Sequence, residues 1–156
     1  MEMLQSLAGA KLNPIHYKGG APALTDVIAG HVPMVFLSTT LTVQPAKAGQ
    51  LRLLGIGSSV RLAQFPELTT IAETLPGYES AVWFGLFAPR GTAEDIVTML
   101  NSAVQKILID PDFRDSFLAP NFYEPIVGSP DQFAQYVRAE AIKWGKVVQD
   151  AKLSLN

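Results

Sequence analysis

The residues best suited to hold a ligand are a run of bare backbone, Tyr17-Lys18-Gly19-Gly20-Ala21-Pro22, followed by Ala23-Leu24-Thr25-Asp26. Gly19 and Gly20 lack Cβ atoms and accept positive φ, so consecutive N–H groups can turn toward one point. A helix opening at Pro22 adds the positive end of its dipole there. Such a cradle suits a small carboxylate, with Tyr17 and Lys18 at its edge. Spacing alone also fits a plainer reason, in which the two glycines only make a tight strand-to-helix turn. Hydroxyls offer a second set of partners: Ser38, Thr39 and Thr40 after one apolar run, Ser58 and Ser59 after the next. In doubly wound sheets ligands gather at the carboxyl ends of strands, which makes these residues candidates; turn and cap duty explains them equally well.

Other chemistry lacks its parts. The chain holds no G-x-S-x-G, no G-x-x-x-x-G-K-[ST] and no H-E-x-x-H. Gly55-Ile56-Gly57-Ser58 starts like a dinucleotide fingerprint, but Val60 stands where the third glycine belongs. His16 and His31 are isolated, so they are read as structural or solvent-facing rather than as a metal pair. Glu94, Asp95 and Asp131 fall in first turns of helices, where capping and the helix dipole account for them. Trp83 and Trp144 are read as core anchors. With no cysteine, disulfides and thiolate chemistry are excluded. The chain is therefore not read as an enzyme, and no cofactor or metal is expected.

The elements that must position the cradle alternate. Met3 to Ala8 reads as a short helix capped by Gly9, Ile15 to Lys18 as a strand, and Pro22 to Ala29 as a helix with Gly30 past its end. Val32 to Leu37 is a second strand, Val43 to Ala48 a short helix stopped by Gly49, and Leu51 to Ile56 a third strand. This order predicts an α/β unit with a parallel sheet. The loop from Ser58 to Pro66 is the expected boundary, giving domains 1–64 and 65–156.

Beyond it, Thr70-Ile71-Ala72-Glu73 has the capping-box form, and Pro76-Gly77 ends the short helix it starts. Ala81 to Ala88 is a nearly all-apolar strand, of a kind covered on both faces. Thr92 to Asp95 repeats the T-x-x-D start. Ile96, Val97, Leu100, Val104, Ile107 and Leu108 then share one helical face. Asp110-Pro111 opens another helix, and Tyr123 to Val127 reads as a strand. Ser129-Pro130-Asp131-Gln132 launches a long helix with a buried stripe of Phe133, Val137, Ala141, Trp144, Val148 and Ala151.

Composition narrows the partners. The 156 residues are 48 % hydrophobic and 17 % charged, against roughly 25 % charged in ordinary soluble domains. Apolar surface is thus expected to meet something outside this sequence. Twelve basic and 14 acidic residues, without a dense Lys/Arg cluster, argue against nucleic acid. The longest apolar run is too short to cross a bilayer. Met1 to Gln5 has neither a basic n-region nor an apolar h-region, so no signal peptide is read there.

Taken together, "HYKGGAPALTDVIAGHV", "PAKAGQLRLLGIGSSVR", "FPELTTIAETLPGYES", "WFGLFAPRGT" and "AEAIKWGKVV" resemble the Bug (TctC-like) extracytoplasmic solute receptors of tripartite tricarboxylate transporters. The resemblance runs in order over nearly the whole chain and covers only the C-terminal half of such receptors. It implies a type II periplasmic binding-protein fold, with one complete βαβ lobe here, the second of the receptor, and part of the other. Residues 1–64 would carry the carboxylate-binding loop; residues 65–156 would supply the crossover strand and C-terminal helices of the incomplete first lobe. The family's Y-K-G loop falls on Tyr17, Lys18, Gly19, Gly20 and Ala21, extending to Pro22, which favours the cradle over the plain turn. Many relatives carry an acidic or amide residue where Leu37 stands, leaving Ser38 and Thr39 as the nearest polar substitutes.

The resemblance further implies a non-catalytic periplasmic receptor. It would take a small organic acid (a di- or tricarboxylate, an acidic amino acid or an aromatic acid) and deliver it to a membrane permease. With its first-lobe partners missing, the apolar strand from Ala81 should sit uncovered and drive homo-oligomer formation. A chain of this kind should bind its solute weakly or not at all alone. The alternative is a self-associating structural or interaction domain without ligand binding.

Overall fold

Helix α1 (Glu2–Ala8) stops at Gly9, whose φ of 61° and ψ of 18° form the expected left-handed cap. This computed structural model describes residues 1–151. Its residues fall into two units, one ending at Val82 and the other beginning at Trp83.

In the first unit α2 spans Gly20–Ile28, starting two residues before Pro22, because Gly19 is its N-cap. Pro22 is tolerated because the first helical turn needs no N–H donor inside the helix. Helix α3 spans Thr39–Lys47 with Ser38 as N-cap, four residues ahead of the expected start at Val43. The threonine-rich run Thr39-Thr40-Leu41-Thr42 disguises that start, since threonine is a modest helix former. Gly30 and Gly49, past the two helices, adopt φ of 77° and 73°. A 3₁₀ turn, Ile71–Glu73, opens with the expected reciprocal box: Glu73 N–H donates to Thr70 Oγ1 at 3.3 Å, and Thr70 N–H donates to Glu73 Oε1 at 2.9 Å.

The segments expected as strands, 15–18, 32–37, 51–56, 81–88 and 123–127, all lie outside helices. Among the described residues, however, the one isolated backbone bridge is parallel, Ile56 with Thr70. Ile56 N–H donates to Thr69 O at 3.1 Å, and Ile71 N–H to Ile56 O at 2.9 Å. The ladder expected between strands of a complete βαβ lobe is thus not formed there. Propensity selects extended backbone, but a ladder also needs a neighbour about 4.8 Å away.

The division after Val82 falls later than the 58–66 loop. Residues 65–80 are tied to the first unit by the bridge at Ile56, by Ser80 N–H donating to Gly57 O at 2.8 Å, and by the edge contact of Phe36 with Tyr78, centroids 6.4 Å apart. Tyr78 and Val43 are its most deeply buried side chains, joined by Met3, Ala23 and Val32.

In the second unit α4 (Glu94–Ile109) has Ala93 as N-cap. Thr92 does not cap it, because its hydroxyl donates to Pro89 O at 2.8 Å. Asp110 does cap α5 (Pro111–Phe113), accepting the Phe113 N–H at 2.9 Å. A π-turn (Arg114–Leu118) and a 3₁₀ turn (Ala119–Asn121) follow. Helix α6 (Pro130–Asp150) starts with the expected box, Gln132 N–H to Ser129 Oγ at 3.2 Å and Ser129 N–H to Gln132 Oε1 at 2.8 Å.

Two expectations change in this unit. The apolar stripe of α6 is only partly covered: Ala141 and Trp144 are exposed, and the buried residue of the helix is Glu140. The run from Ala81 to Ala88 is largely exposed rather than covered on both faces, Trp83 alone of its residues being half-buried. Trp83 and Phe87 place their rings 5.9 and 5.3 Å from Phe133 of α6, and a Cβ on Gly85 would enter the same ring. Phe84, Leu86 and Phe87 are nevertheless 76 %, 65 % and 63 % exposed, and Phe84 meets Tyr123 edge-on with centroids 5.8 Å apart.

Candidate functional site

The first turns of α2 and α3 meet in the first unit. Gly19 has φ 120° and ψ 173°, a region open to glycine but strained for any residue with a Cβ. A Cβ added there would meet nothing within 4 Å, so conformation and not space demands glycine at this position. Gly20 differs. A Cβ there would lie 2.6 Å from Leu41 Cδ1 and 3.4 Å from Leu37 Cδ2. Gly20 therefore lets the start of α2 press against the start of α3, and the two leucines bracket Ser38, Thr39 and Thr40.

This contact sets the start of α2 beside the leucines that flank Ser38, Thr39 and Thr40. Gly20, Ala21 and Pro22 form the first helical turn of α2, while in α3 Ser38 is the N-cap and Thr39 the first helical residue. The first N–H groups of a helix have no intrahelical acceptor, and each helix start carries the positive end of its dipole. Lys18, Gly19, Ala21, Pro22 and Ser38 are exposed, so side chains do not seal the edge. Ser38 Oγ lies 2.8 Å from Thr40 Oγ1 and leaves its own helix uncapped by side-chain bonding. The end of the third extended run adjoins as well: a Cβ on Gly57 would sit 3.2 Å from Phe36 Cζ. Ser58 is committed to its turn, donating to Val60 O at 2.6 Å. The arrangement can hold an anion by main-chain donors, with a lysine and hydroxyls nearby.

Tyr17 is placed differently from the expectation that it edges the cradle freely. Its hydroxyl donates to Asp26 Oδ2 at 2.8 Å. Asp26 Oδ1 lies 3.3 Å from His31 Nδ1. The hydrogen bond from Tyr17 and then that from His31 hold the Asp26 carboxyl below its ordinary range, and the same bond pushes the Tyr17 phenol up. Sequence alone assigns Asp26 no role and shows His31 as isolated; Tyr17 and Asp26, nine positions apart, meet only once α2 folds between them.

The second unit holds another polar centre. Glu140 Oε2 accepts the indole N–H groups of Trp83 and Trp144, and Oε1 pairs with the Lys143 ammonium. Asn101 Nδ2 and Gln105 Nε2 of α4 both donate to Gly128 O, at 3.0 and 3.2 Å, fixing the approach to α6. Among the described residues no group of three His, Cys, Asp or Glu side chains is placed to hold a metal ion, and no helix is long and apolar enough to cross a membrane.

The model of the tripartite tricarboxylate transporter family receptor matches residues 1–153. A UPF0065 protein in the tcbD-tcbE intergenic region of Pseudomonas sp. (strain P51) is 35 % identical over 99 % of this chain and 46 % of its own length. Among solved structures, R. palustris Rpa4515 with adipate superposes with a TM-score of 0.84 at 34 % identity, over 98 % of this chain and 51 % of that one. The periplasmic binding protein BugD gives 0.78 at 27 % identity, over 98 % and 52 %. MatC (Rpa3494) from Rhodopseudomonas palustris with bound malate gives 0.68 at 30 %, over 94 % and 51 %. The chain thus spans about half the length of the curated relatives it matches first.

Proposed function

The chain belongs to the tripartite tricarboxylate transporter receptor family, and we propose that it carries the carboxylate-gripping part of a periplasmic receptor for a small organic acid. The observation that carries this reading is the close approach of α2 and α3 at Gly20, which sets two helix N-termini side by side with exposed edges. Main-chain amides of Gly19, Gly20 and Ala21 and the hydroxyls of Ser38 and Thr39 grip the carboxylate, with Lys18 adding charge at the rim and Pro22 setting the helix start. Adipate and malate in two structural neighbours support the ligand class. Residues 1–64 serve as the carboxylate-binding lobe, and residues 65–156 contribute to the receptor's other lobe. Delivery to a membrane permease completes the role; family membership is that of receptors and not of enzymes.

Calorimetric titration of the chain with adipate and with malate tests this, alongside Gly19→Val. Heat of binding in the parent and none in the variant is the expected result, with a weak affinity where one lobe acts alone. No binding to the chain or to a full-length relative of it would overturn the reading.

A second reading has its own observation. Phe84 and Leu86 stand exposed on an extended segment, a surface that suits self-association. The two readings differ at Gly19, whose substitution should abolish anion binding and leave assembly unchanged.

A further inference from the structure

Asp26 collects three bonds from opposite ends of one helix. Its main-chain carbonyl accepts the His31 N–H at 2.9 Å beyond the C-terminus of α2. Its Oδ1 faces the His31 ring at 3.3 Å. Its Oδ2 takes the Tyr17 hydroxyl at 2.8 Å, three residues ahead of Gly20. The chain between Tyr17 and Asp26 is closed into a loop whose free part is Lys18 and Gly19.

That closure bears on the cradle. Gly19 is the most permissive residue of the segment, and its φ of 120° and ψ of 173° is one of several conformations it can adopt. Within 4 Å of where its Cβ would lie there is nothing to hold it. The flanking restraints are Gly20 against Leu41 on one side and Tyr17 bonded to Asp26 on the other. Both Asp26 oxygens are engaged, Oδ2 by the Tyr17 hydroxyl and Oδ1 by the His31 ring. We infer that Asp26 is the positioning residue of the cradle: through the Tyr17 hydroxyl it fixes the turn at Gly19 and so the aim of the amides that follow. Tyr17 accordingly acts as a strut and does not offer its hydroxyl to the ligand.

The inference rests on the receptor reading for its purpose, but its test does not need a ligand. Amide relaxation is measured on the ¹⁵N-labelled chain as parent, Asp26→Ala, Asp26→Asn and Tyr17→Phe. Order parameters of Gly19, Gly20 and Ala21 should stand near about 0.85 in the parent and fall below about 0.6 in Asp26→Ala and Tyr17→Phe. Those of α4 should not change. Asp26→Asn, which keeps a carbonyl acceptor for Tyr17, should rescue most of the order. In Asp26→Ala, absorbance titration should show one tyrosine returning toward its ordinary pKa. Equal order parameters across the parent, Asp26→Ala and Tyr17→Phe would overturn the inference, as would a turn already below about 0.6 in the parent. Adipate is then added to each labelled sample. A parent whose 19–21 amides ignore adipate counts against the receptor reading alone, while the order parameters still decide Asp26.

Discussion

The indole N–H of Trp83 donates to Glu140 Oε2 at 3.2 Å, across 57 positions of sequence. Trp144, one helical turn along α6, donates to the same oxygen at 3.0 Å, and the Lys143 ammonium pairs with Oε1. Three donors on one buried carboxylate pin the extended run from Trp83 to α6. Without them the charge would not tolerate burial.

Removing that carboxylate should loosen the second unit. Burial pushes the Glu140 carboxyl up, but Lys143, Trp144 and Trp83 together outweigh it and hold it below the ordinary glutamate value of 4.5. Its contribution is therefore present above that value and lost as pH falls through the lower folded one. Glu140→Ala should cost about 1.5–3 kcal/mol at neutral pH, the range for hydrogen bonds to a charged group. Urea unfolding followed by tryptophan emission checks this, with a red shift expected in the folded baseline. An unchanged midpoint would show that the aromatic contacts of Phe133 suffice alone.

Glu73 should report on acid loosening of the first unit. Arg61 grips it with both ends of its fork, Nε to Oε1 at 2.8 Å and a terminal nitrogen to Oε2 at 2.6 Å, and the Thr70 N–H adds a third bond. These lower its carboxyl to about 2. A depressed pKa means that stabilisation is complete above the unfolded value of 4.5 and fades as pH falls toward 2. Glu73→Gln should therefore be less stable than the parent at pH 7, with the gap narrowing below 4.5. Unfolding midpoints at a series of pH values test it; a gap independent of pH would contradict the paired geometry.

The two glycines of the cradle should fail in different ways. Gly19→Ala meets open space, so its cost is backbone strain alone, of order 1–3 kcal/mol, and no neighbouring substitution should relieve it. Gly20→Ala meets Leu41 Cδ1 at 2.6 Å, so its cost is overpacking, about 1–3 kcal/mol. Shortening Leu41 should recover part of that loss, giving a favourable coupling of about 1 kcal/mol in a double-mutant cycle. The same cycle built on Gly19 should give none. Equal couplings would mean that the close approach of the helices is not what Gly20 serves. A β-branched residue at position 20 would thus disturb helix packing as well as the cradle, which makes position 19 the cleaner probe of anion binding.

What could be read from sequence was what local chemistry decides. The boxes at Thr70 and Ser129, the aspartate cap before Pro111 and the left-handed glycines after α1, α2 and α3 each depend on residues within one turn. Thr92 shows the limit of that logic: its hydroxyl turns back to Pro89, and Ala93 takes the cap. Residues 19–22 and 38–39 were legible as candidates, because glycine and hydroxyl content at run ends is local. Their meeting was not, since it depends on Leu41 filling the space beside Gly20. Glu140 was hidden for the same reason. A hydrophobic period assigns that face to Trp144 and Ala141, and one of the three donors that make burial of the carboxylate tolerable comes from 57 positions away.

Self-association should follow from the apolar surface between Trp83 and Phe87. Trp83, Gly85 and Phe87 approach the Phe133 ring and Phe84 meets the edge of Tyr123, yet Phe84, Leu86 and Phe87 all keep most of their surface in water. An extended backbone without a ladder partner carries open N–H and C=O groups, and an apolar outer face beside it favours pairing with another chain. The chain should therefore sediment as a dimer or larger species at micromolar concentration. Leu86→Glu places a charge on the outward face without touching the Phe133 contacts, and should shift the distribution to monomer. Its unfolding midpoint should stay within about 0.5 kcal/mol of the parent when compared at equal monomer concentration, as for other surface changes. Gly19→Val in the same experiment should leave the oligomer intact, since the cradle lies in the other unit. A parent chain that sediments as a clean monomer would remove the role assigned to this face.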